Sequence, residues 1–245
     1  MSRALTLLFA IVCYAIFFAT FLYLIVFVGD LNFASRTVDV GPEAPPLSAA
    51  IIDIALIALF GLQHSVMARP AFKAKWTRVV PPAAERSVYV LAASIALMIL
   101  FLGWRPIDTI VWNASNSMLA GLLWLLFWAG WGTVLVSTFL INHFELFGLQ
   151  QAWWHVHGRK AEKPELRQPF FYKWVAHPLY AGFFLAFWAA PEMTAGHLLL
   201  AVGVSIYMLI AIRYEERDLT NLFGEDYRRY RSSVGGLVPR FRRSA

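Results

Sequence analysis

Long apolar segments, separated by polar loops, run through most of the chain. The four longest cover residues 4–28, 48–67, 87–103 and 118–141, and two shorter ones cover 178–190 and 197–212. A helix of about 20 apolar residues crosses the roughly 30 Å of hydrocarbon in a bilayer. The shorter pair, separated by a polar turn, is typical of a helical hairpin. The pattern therefore predicts an all-α, polytopic transmembrane bundle of about six membrane-embedded helices, the last two forming the hairpin.

The charges of the loops alternate along the chain. Residues 29–47 carry Arg36 against three acidic residues, whereas residues 68–86 carry five basic residues against Glu85 alone. The long connection 142–177 is also basic, with Arg159, Lys160, Lys163, Arg167 and Lys173. Cytoplasmic loops of membrane proteins are enriched in Lys and Arg. We therefore expect both basic loops and both termini in the cytoplasm, and residues 29–47 on the opposite side.

Composition agrees with a membrane protein and limits its organisation. The chain is 59% hydrophobic and 15% charged, whereas soluble domains average about 25% charged. Its 245 residues predict one membrane domain, without a separate soluble cofactor domain of about 100 to 150 residues. The net charge of +6 comes from loop residues that form no aromatic and basic groove, so we expect no nucleic-acid partner. The single cysteine, Cys13, excludes an internal disulfide.

The segment from His177 to Gly182 has the features of a ligand site at the mouth of an apolar helix. Pro178 suits the first turn of a helix, where its missing N–H costs nothing. His177 and Tyr180 place polar groups at the same helix end, and Gly182 leaves the backbone uncovered. By the charge pattern, this end faces the cytoplasm.

Three motifs here resemble a known superfamily. They are FYKWVAHPLYAG at 171–182, RYEERDL at 213–219 and FGEDYRRY at 223–230. They resemble the membrane methyltransferases related to isoprenylcysteine carboxyl methyltransferase. Two further motifs, GLQHSVMARP at 61–70 and INHFELFGL at 141–149, resemble more narrowly the methanethiol S-methyltransferase branch, which is related to NnrU-type membrane proteins. One departure is Ala176, where the superfamily usually has arginine.

The resemblance implies S-adenosylmethionine (SAM) as the cofactor, in a part of the chain at about 142–240. The residues that it implies for binding SAM are His177, Pro178, Tyr180, Gly182, Arg213, Glu215 and Glu216. It also implies a bacterial inner-membrane enzyme whose cofactor site faces the cytoplasm, and a small thiol substrate, with methanethiol converted to dimethyl sulfide.

A thiol must lose its proton before it is methylated. The reference pKa of a cysteine thiol is about 8.5, so little of it is ionised at neutral pH. A side chain that accepts this proton is therefore expected near the acceptor. His143, His64 and Glu145 are the candidates, since all three lie at predicted cytoplasmic ends of apolar segments. Each also has a structural interpretation as an interfacial polar residue.

Other interpretations of the chain stay open. The methyl acceptor can be a prenyl-cysteine carboxylate or a phospholipid amine, and the protein can be a non-enzymatic NnrU-like membrane protein. Arg213 and Glu216 can simply pair with each other on a helix surface. His155 and His157 lack the spacing of a known zinc signature, so we expect no metal.

Overall fold

The structure is a computed structural model that describes residues 2–159 and 165–240. The loop residues Lys160 and Lys163 lie outside the described residues. The α-helices are α1 (Arg3–Val28), α2 (Pro46–Ala68), α3 (Pro70–Trp76), α4 (Pro82–Gly103), α5 (Met118–Ile141), α6 (His143–Leu146), α7 (Leu149–Val156), α8 (Pro178–Trp188), α9 (Ala195–Phe223) and α10 (Glu225–Ser233). The strands are β1 (Ile110–Asn113) and β2 (Glu192–Thr194), and a 3₁₀ helix covers Phe170–Lys173.

Six apolar helices account for the hydrophobic pattern. Helices α1, α2, α4, α5 and α9 are long and apolar enough to cross a membrane, and α8 is a shorter apolar helix. The predicted all-α, polytopic membrane fold is therefore confirmed. Helices α2, α4 and α8 begin at Pro46, Pro82 and Pro178. Proline is favoured at this position because its φ is already helical and it has no N–H to leave unpaired.

Helix α9 is longer than its apolar segment. The apolar segment ends near residue 212, but α9 continues to Phe223. Residues 213–223 contain neither glycine nor proline, so nothing local interrupts the helix after the apolar part. It ends where Gly224 adopts a φ of 58°, a conformation that glycine accepts without steric cost.

The chain divides into two compact units. The first comprises Met1–Asn113, His143–Glu162 and Glu192–Val204, and the second comprises Ala114–Asn142, Lys163–Pro191 and Ser205–Ala245. Helix α9 contributes residues to both. The single-domain organisation that chain length predicts stays a prediction.

In the first unit, α4 packs against both α1 and α2, and α7 packs against α1. Phe27, Phe101 and Trp104 are buried between these helices. The Trp104 Nε1–H donates a hydrogen bond to the Val38 carbonyl at 2.9 Å, so the ring also fixes the loop after α1. Trp104 thereby contributes apolar area and satisfies its one donor.

A two-stranded antiparallel sheet in the first unit joins two connecting segments. Ile110 pairs with Thr194, and Asn113 pairs with Glu192. The hydrophobic pattern does not predict this sheet, because strands of three and four residues are too short to show a period. Their pairing also joins segments far apart in the sequence.

The second unit is built on close contact between α5 and α8. A Cβ placed on Gly182 would lie 2.7 Å from the Gly130 carbonyl oxygen. Trp131 packs edge-on against Phe183 beside this contact, with ring centroids 5.7 Å apart. Small residues at such crossings let two backbones approach in membrane proteins. The two glycines therefore determine the separation of α5 and α8.

We predict that Gly182→Ala destabilises the protein by about 1 to 3 kcal/mol, the usual cost of overpacking. Gly132→Ala on α5 is the matched control, because a Cβ there meets nothing within 4 Å. The control should be neutral or stabilising by up to about 1 kcal/mol, since alanine favours helix over glycine. Thermal unfolding in detergent measures both, and equal midpoints for the two variants would contradict the packing role of Gly182.

Candidate functional site

A histidine, a glutamate and an arginine meet in the second unit. His177 immediately precedes α8 and is 4% exposed. Its Nε2 lies 3.0 Å from Oε1 of Glu216 on α9. Arg231 on α10 donates its Nε–H to the same oxygen at 2.5 Å. Glu216 is therefore held from two sides, by an imidazole and a guanidinium.

The second carboxylate oxygen of Glu216 has a different environment. Among the described residues, Oε2 of Glu216 makes no hydrogen bond, because both partners bind Oε1. The side chain is 28% exposed. The carboxylate is thus fixed in orientation while one oxygen stays accessible to a ligand that donates hydrogen bonds.

The segment after α10 fixes the backbone next to His177. Ala176 donates its N–H to the Gly235 carbonyl at 2.8 Å, and His177 donates to the Gly236 carbonyl at 3.1 Å. Gly235 in turn donates to the Trp174 carbonyl at 3.0 Å. A Cβ on Gly235 would lie 1.8 Å from the Val238 carbonyl oxygen, so this turn requires glycine.

A tyrosine cluster lies behind the site. Tyr227 and Tyr230 are 2% and 6% exposed and pack with Ala176. The Tyr230 hydroxyl donates to the Tyr172 carbonyl at 2.8 Å, whereas the buried Tyr227 hydroxyl has no hydrogen-bond partner among the described residues. Burial, followed by the Glu216 and Glu215 carboxylates, raises the pKa of Tyr227. Its O–H therefore remains a donor at neutral pH.

The tyrosine cluster also explains how the site accommodates Ala176. This residue is 7% exposed among the tyrosines, and an arginine there would displace them. The guanidinium that contacts Glu216 comes from Arg231 instead. The positive charge at this carboxylate is thus provided by α10.

The other predicted cofactor residues have varied surroundings. The Tyr180 ring lies edge-on to His177, with centroids 5.8 Å apart, and Pro178 is buried at the start of α8. Glu215 is partly exposed, and Arg213 is exposed without a hydrogen bond or ion pair among residues 2–159 and 165–240. The sequence predicts that Gly182 leaves room for a ligand. In the structure, helix α5 occupies the space that a Cβ of Gly182 would fill.

His143 lies in the first unit, on the short helix α6. It is 6% exposed, and its Nε2 lies 2.8 Å from the Tyr14 hydroxyl of α1. The Phe147 ring packs against it, with centroids 4.9 Å apart. Burial lowers the pKa of His143, so the imidazole is neutral at pH 7 and one of its nitrogens carries a lone pair.

His64 lies in the same unit and is connected to α6. Its ring is 5.0 Å from that of Tyr89 between centroids, and the Tyr89 hydroxyl donates to the His64 carbonyl at 3.4 Å. Arg86, one turn before Tyr89, donates its Nε–H to the Leu146 carbonyl of α6 at 2.7 Å. Arg86 and Tyr89 of α4 therefore connect the end of α2, which carries His64, to α6, which carries His143, whereas Glu145 of α6 is exposed.

No group of three or more His, Cys, Asp or Glu is arranged to hold a metal ion in the described parts of the chain. His155 and His157 are both exposed. His157 Nδ1 lies 2.9 Å from the Trp153 carbonyl oxygen, so one nitrogen of the pair is already engaged.

Comparison with known proteins decides the family. Over 242 residues the chain is 49% identical to Methanethiol S-methyltransferase 1 of Bradyrhizobium diazoefficiens, covering 99% of this chain and 84% of that protein. It is 47% identical over 239 residues to Methanethiol S-methyltransferase of Mycobacterium tuberculosis, covering 98% of each. The chain belongs to the methanethiol S-methyltransferase family. It is thus a multi-pass membrane protein of a methyltransferase family, and the resemblance drawn from its motifs is confirmed.

The family has more distant relatives. Nurim of Xenopus laevis is 27% identical over 204 residues, covering 76% of this chain and 70% of Nurim, which fits a wider membrane superfamily. No protein-family model matches the chain. No solved structure matches it either.

Three residues with notable contacts are not among those predicted from the sequence: Tyr14 in the first unit, and Tyr227 and Arg231 in the second. The position of Tyr14 in an apolar segment is an indication from the sequence, since a polar group there is costly unless it has a partner. Tyr227 stands inside one of the motifs, and Arg231 directly follows it. Their contacts depend on helices that only the fold brings together.

Proposed function

We propose that this protein is a SAM-dependent thiol S-methyltransferase of the bacterial inner membrane that converts methanethiol to dimethyl sulfide. The names of the close relatives support the reaction. The observation that carries the cofactor assignment is the carboxylate of Glu216, oriented by His177 and Arg231 with Oε2 accessible. The basic loops support an orientation of this site towards the cytoplasm, where SAM is made.

The residues of the second unit fit SAM chemically. Its ammonium and ribose hydroxyl groups are hydrogen-bond donors, which suit the Glu216 Oε2 atom. Its carboxylate and adenine nitrogens are acceptors, which suit the Tyr227 hydroxyl, a buried donor without a described partner. A buried donor left unpaired costs about 1 to 3 kcal/mol, so an acceptor on the cofactor would remove this penalty. Tyr180 offers an aromatic face for the positively charged sulfonium.

When bound, SAM supplies a methyl group on a sulfonium sulfur, which a thiolate attacks in line. The protein must therefore orient the acceptor, exclude water and remove the thiol proton. His143 is the base in this proposal, because it is buried and neutral while Glu145 is exposed. When its Nε2–H donates to the Tyr14 hydroxyl, the lone pair of the neutral imidazole is on Nδ1, the atom that would accept the proton. Tyr14 then acts as a positioning residue that selects the tautomer.

The reaction is tested by incubating purified protein with SAM and methanethiol. We expect dimethyl sulfide in the headspace by gas chromatography, and none when SAM is left out. A prenyl-cysteine and a phosphatidylethanolamine vesicle are supplied as alternative acceptors. Methylation of either one, without dimethyl sulfide from methanethiol, would contradict the proposed substrate.

We predict that Glu216→Gln weakens SAM binding by roughly 5- to 150-fold, which corresponds to the loss of about 1 to 3 kcal/mol. The neutral amide loses the charge that His177 and Arg231 orient, and presents a different group to the donors of SAM. Glu225→Gln is the matched control, because this exposed carboxylate pairs only with Arg228 among the described residues. Calorimetric titration with SAM measures both, and equal affinities in the two variants would remove Glu216 from the site.

We predict that His143→Ala lowers turnover by roughly 10² to 10⁴ at pH 7 with SAM affinity unchanged. Since burial lowers the pKa of His143, the imidazole loses its proton below the usual pH of about 6.5. The rise in wild-type activity that accompanies deprotonation of His143 should therefore be complete below that pH. The deficit of the variant should shrink as pH approaches the pKa of the thiol, and a deficit that is constant with pH would show a packing role.

A further inference from the structure

Arg86 is a cation held between α4 and the short helix α6. It lies in the first turn of α4 and is partly buried. Its Nε–H binds the Leu146 carbonyl at 2.7 Å, and its guanidinium carbon lies 4.9 Å from the centroid of the Tyr89 ring. A backbone acceptor on one side and an aromatic face on the other restrict this side chain to one orientation.

The charge of Arg86 has no negative partner in the part of the chain that the structure describes. Among the described residues Arg86 forms no ion pair, and its terminal nitrogens make no hydrogen bond. A guanidinium stays charged at every working pH and presents several donors in a plane. A partly buried charge without a partner is unfavourable, so an anion at these nitrogens would stabilise the arrangement.

Arg86 interacts with one candidate base, His64, and with the short helix that carries the other, His143. Leu146, which accepts its hydrogen bond, lies on α6 with His143. Tyr89, which packs beneath it, also contacts the His64 ring, and His64 interacts electrostatically with Arg86. Among the described residues, the titratable groups that interact with Arg86 are His64 of α2 and Tyr89 of α4, and Glu85 precedes it in the chain.

We propose that Arg86 binds the methyl acceptor as its thiolate anion, beside the base that removes the thiol proton. This inference rests on the proposed thiol methylation and deepens it. An opposite charge within about 4 to 6 Å favours the ionised form of an acid by about 1 to 3 pKa units. A bound thiol beside Arg86 therefore ionises far more readily than in water, where an alkyl thiol is almost wholly protonated at pH 7.

The proton and electrons balance in this step. The S–H proton passes to the His143 imidazole, and the electron pair left on the sulfur is stabilised by the Arg86 guanidinium. That pair forms the new carbon–sulfur bond as the bond from the methyl carbon to the sulfonium breaks. His143 passes the thiol proton on to water once the thiol is bound, before methyl transfer, and Arg86 is unchanged because it only binds the anion.

Arg86→Met tests the proposal, with Arg78→Met as the control because Arg78 is an exposed cation of the same basic loop. Arg86→Met should raise the KM for methanethiol and lower kcat/KM at pH 7 by about 10- to 1,000-fold, one tenfold step per pKa unit. The loss should shrink as pH approaches the pKa of the thiol. It should also be smaller for benzenethiol, which is far more acidic, and Arg86→Lys should restore part of the activity.

Thiol binding provides a readout that does not depend on turnover. Calorimetric titration with benzenethiol, below its solution pKa and in two buffers of different ionisation enthalpy, counts the protons released. Proton release by the wild type and by Arg78→Met, but not by Arg86→Met, is the expected result. Equal proton release in all three would overturn the proposal. A kcat/KM deficit of Arg86→Met that is independent of pH and of thiol acidity would also overturn it, because it indicates a structural or lipid-headgroup role.

The two proposals fail separately. If the wild type makes no methylated thiol, the proposed function is wrong, whatever Arg86 does. If it methylates thiols and Arg86→Met behaves like Arg78→Met, only the thiolate site is wrong. Unchanged SAM affinity in Arg86→Met shows that the variant is folded, so that a loss of activity is specific to the acceptor.

Discussion

The double contact to Oε1 of Glu216 is the interaction on which the rest of the second unit depends. His177 reaches it from the start of α8, and Arg231 reaches it from α10. The segment after α10 then hydrogen-bonds to the backbone of Ala176 and His177, so the same residues define both the carboxylate and its surroundings. A carboxylate at the end of a membrane helix is costly to dehydrate, and these partners offset that cost while one oxygen remains available.

In the first unit, polar side chains are likewise oriented by contacts between helices. Helix α6 carries His143 to the Tyr14 hydroxyl and its Leu146 carbonyl to Arg86. Each of these two contacts joins two helices and restricts the orientation of a polar side chain. The first unit thus has a neutral imidazole and a guanidinium without a described counter-charge. The proposed thiolate site rests on this pair, with one group to remove a proton and the other to stabilise the anion.

Several features of the chain follow from local sequence. The apolar segments predict the long helices, and the prolines at residues 46, 82 and 178 mark three helix starts, because backbone restriction and membrane insertion act over short stretches. The motifs around His177 and Tyr227 identify the superfamily from the sequence as well. Local sequence permits α9 to continue past its apolar segment, and in the fold Leu219 and Phe223 of its charged end pack against the tyrosine cluster.

Sequence alone therefore determined the membrane class, the six apolar helices and the family, since these depend on residues that are close in the chain. Only the tertiary structure decided that Glu216 meets Arg231, that Tyr14 meets His143 across 129 positions, and that Gly182 packs against Gly130. Hydrogen bonds and helix crossings depend on distances that hydrophobic periodicity does not encode. A glycine in a helix looks the same whether a ligand or another backbone covers it, and packing alone distinguishes the two.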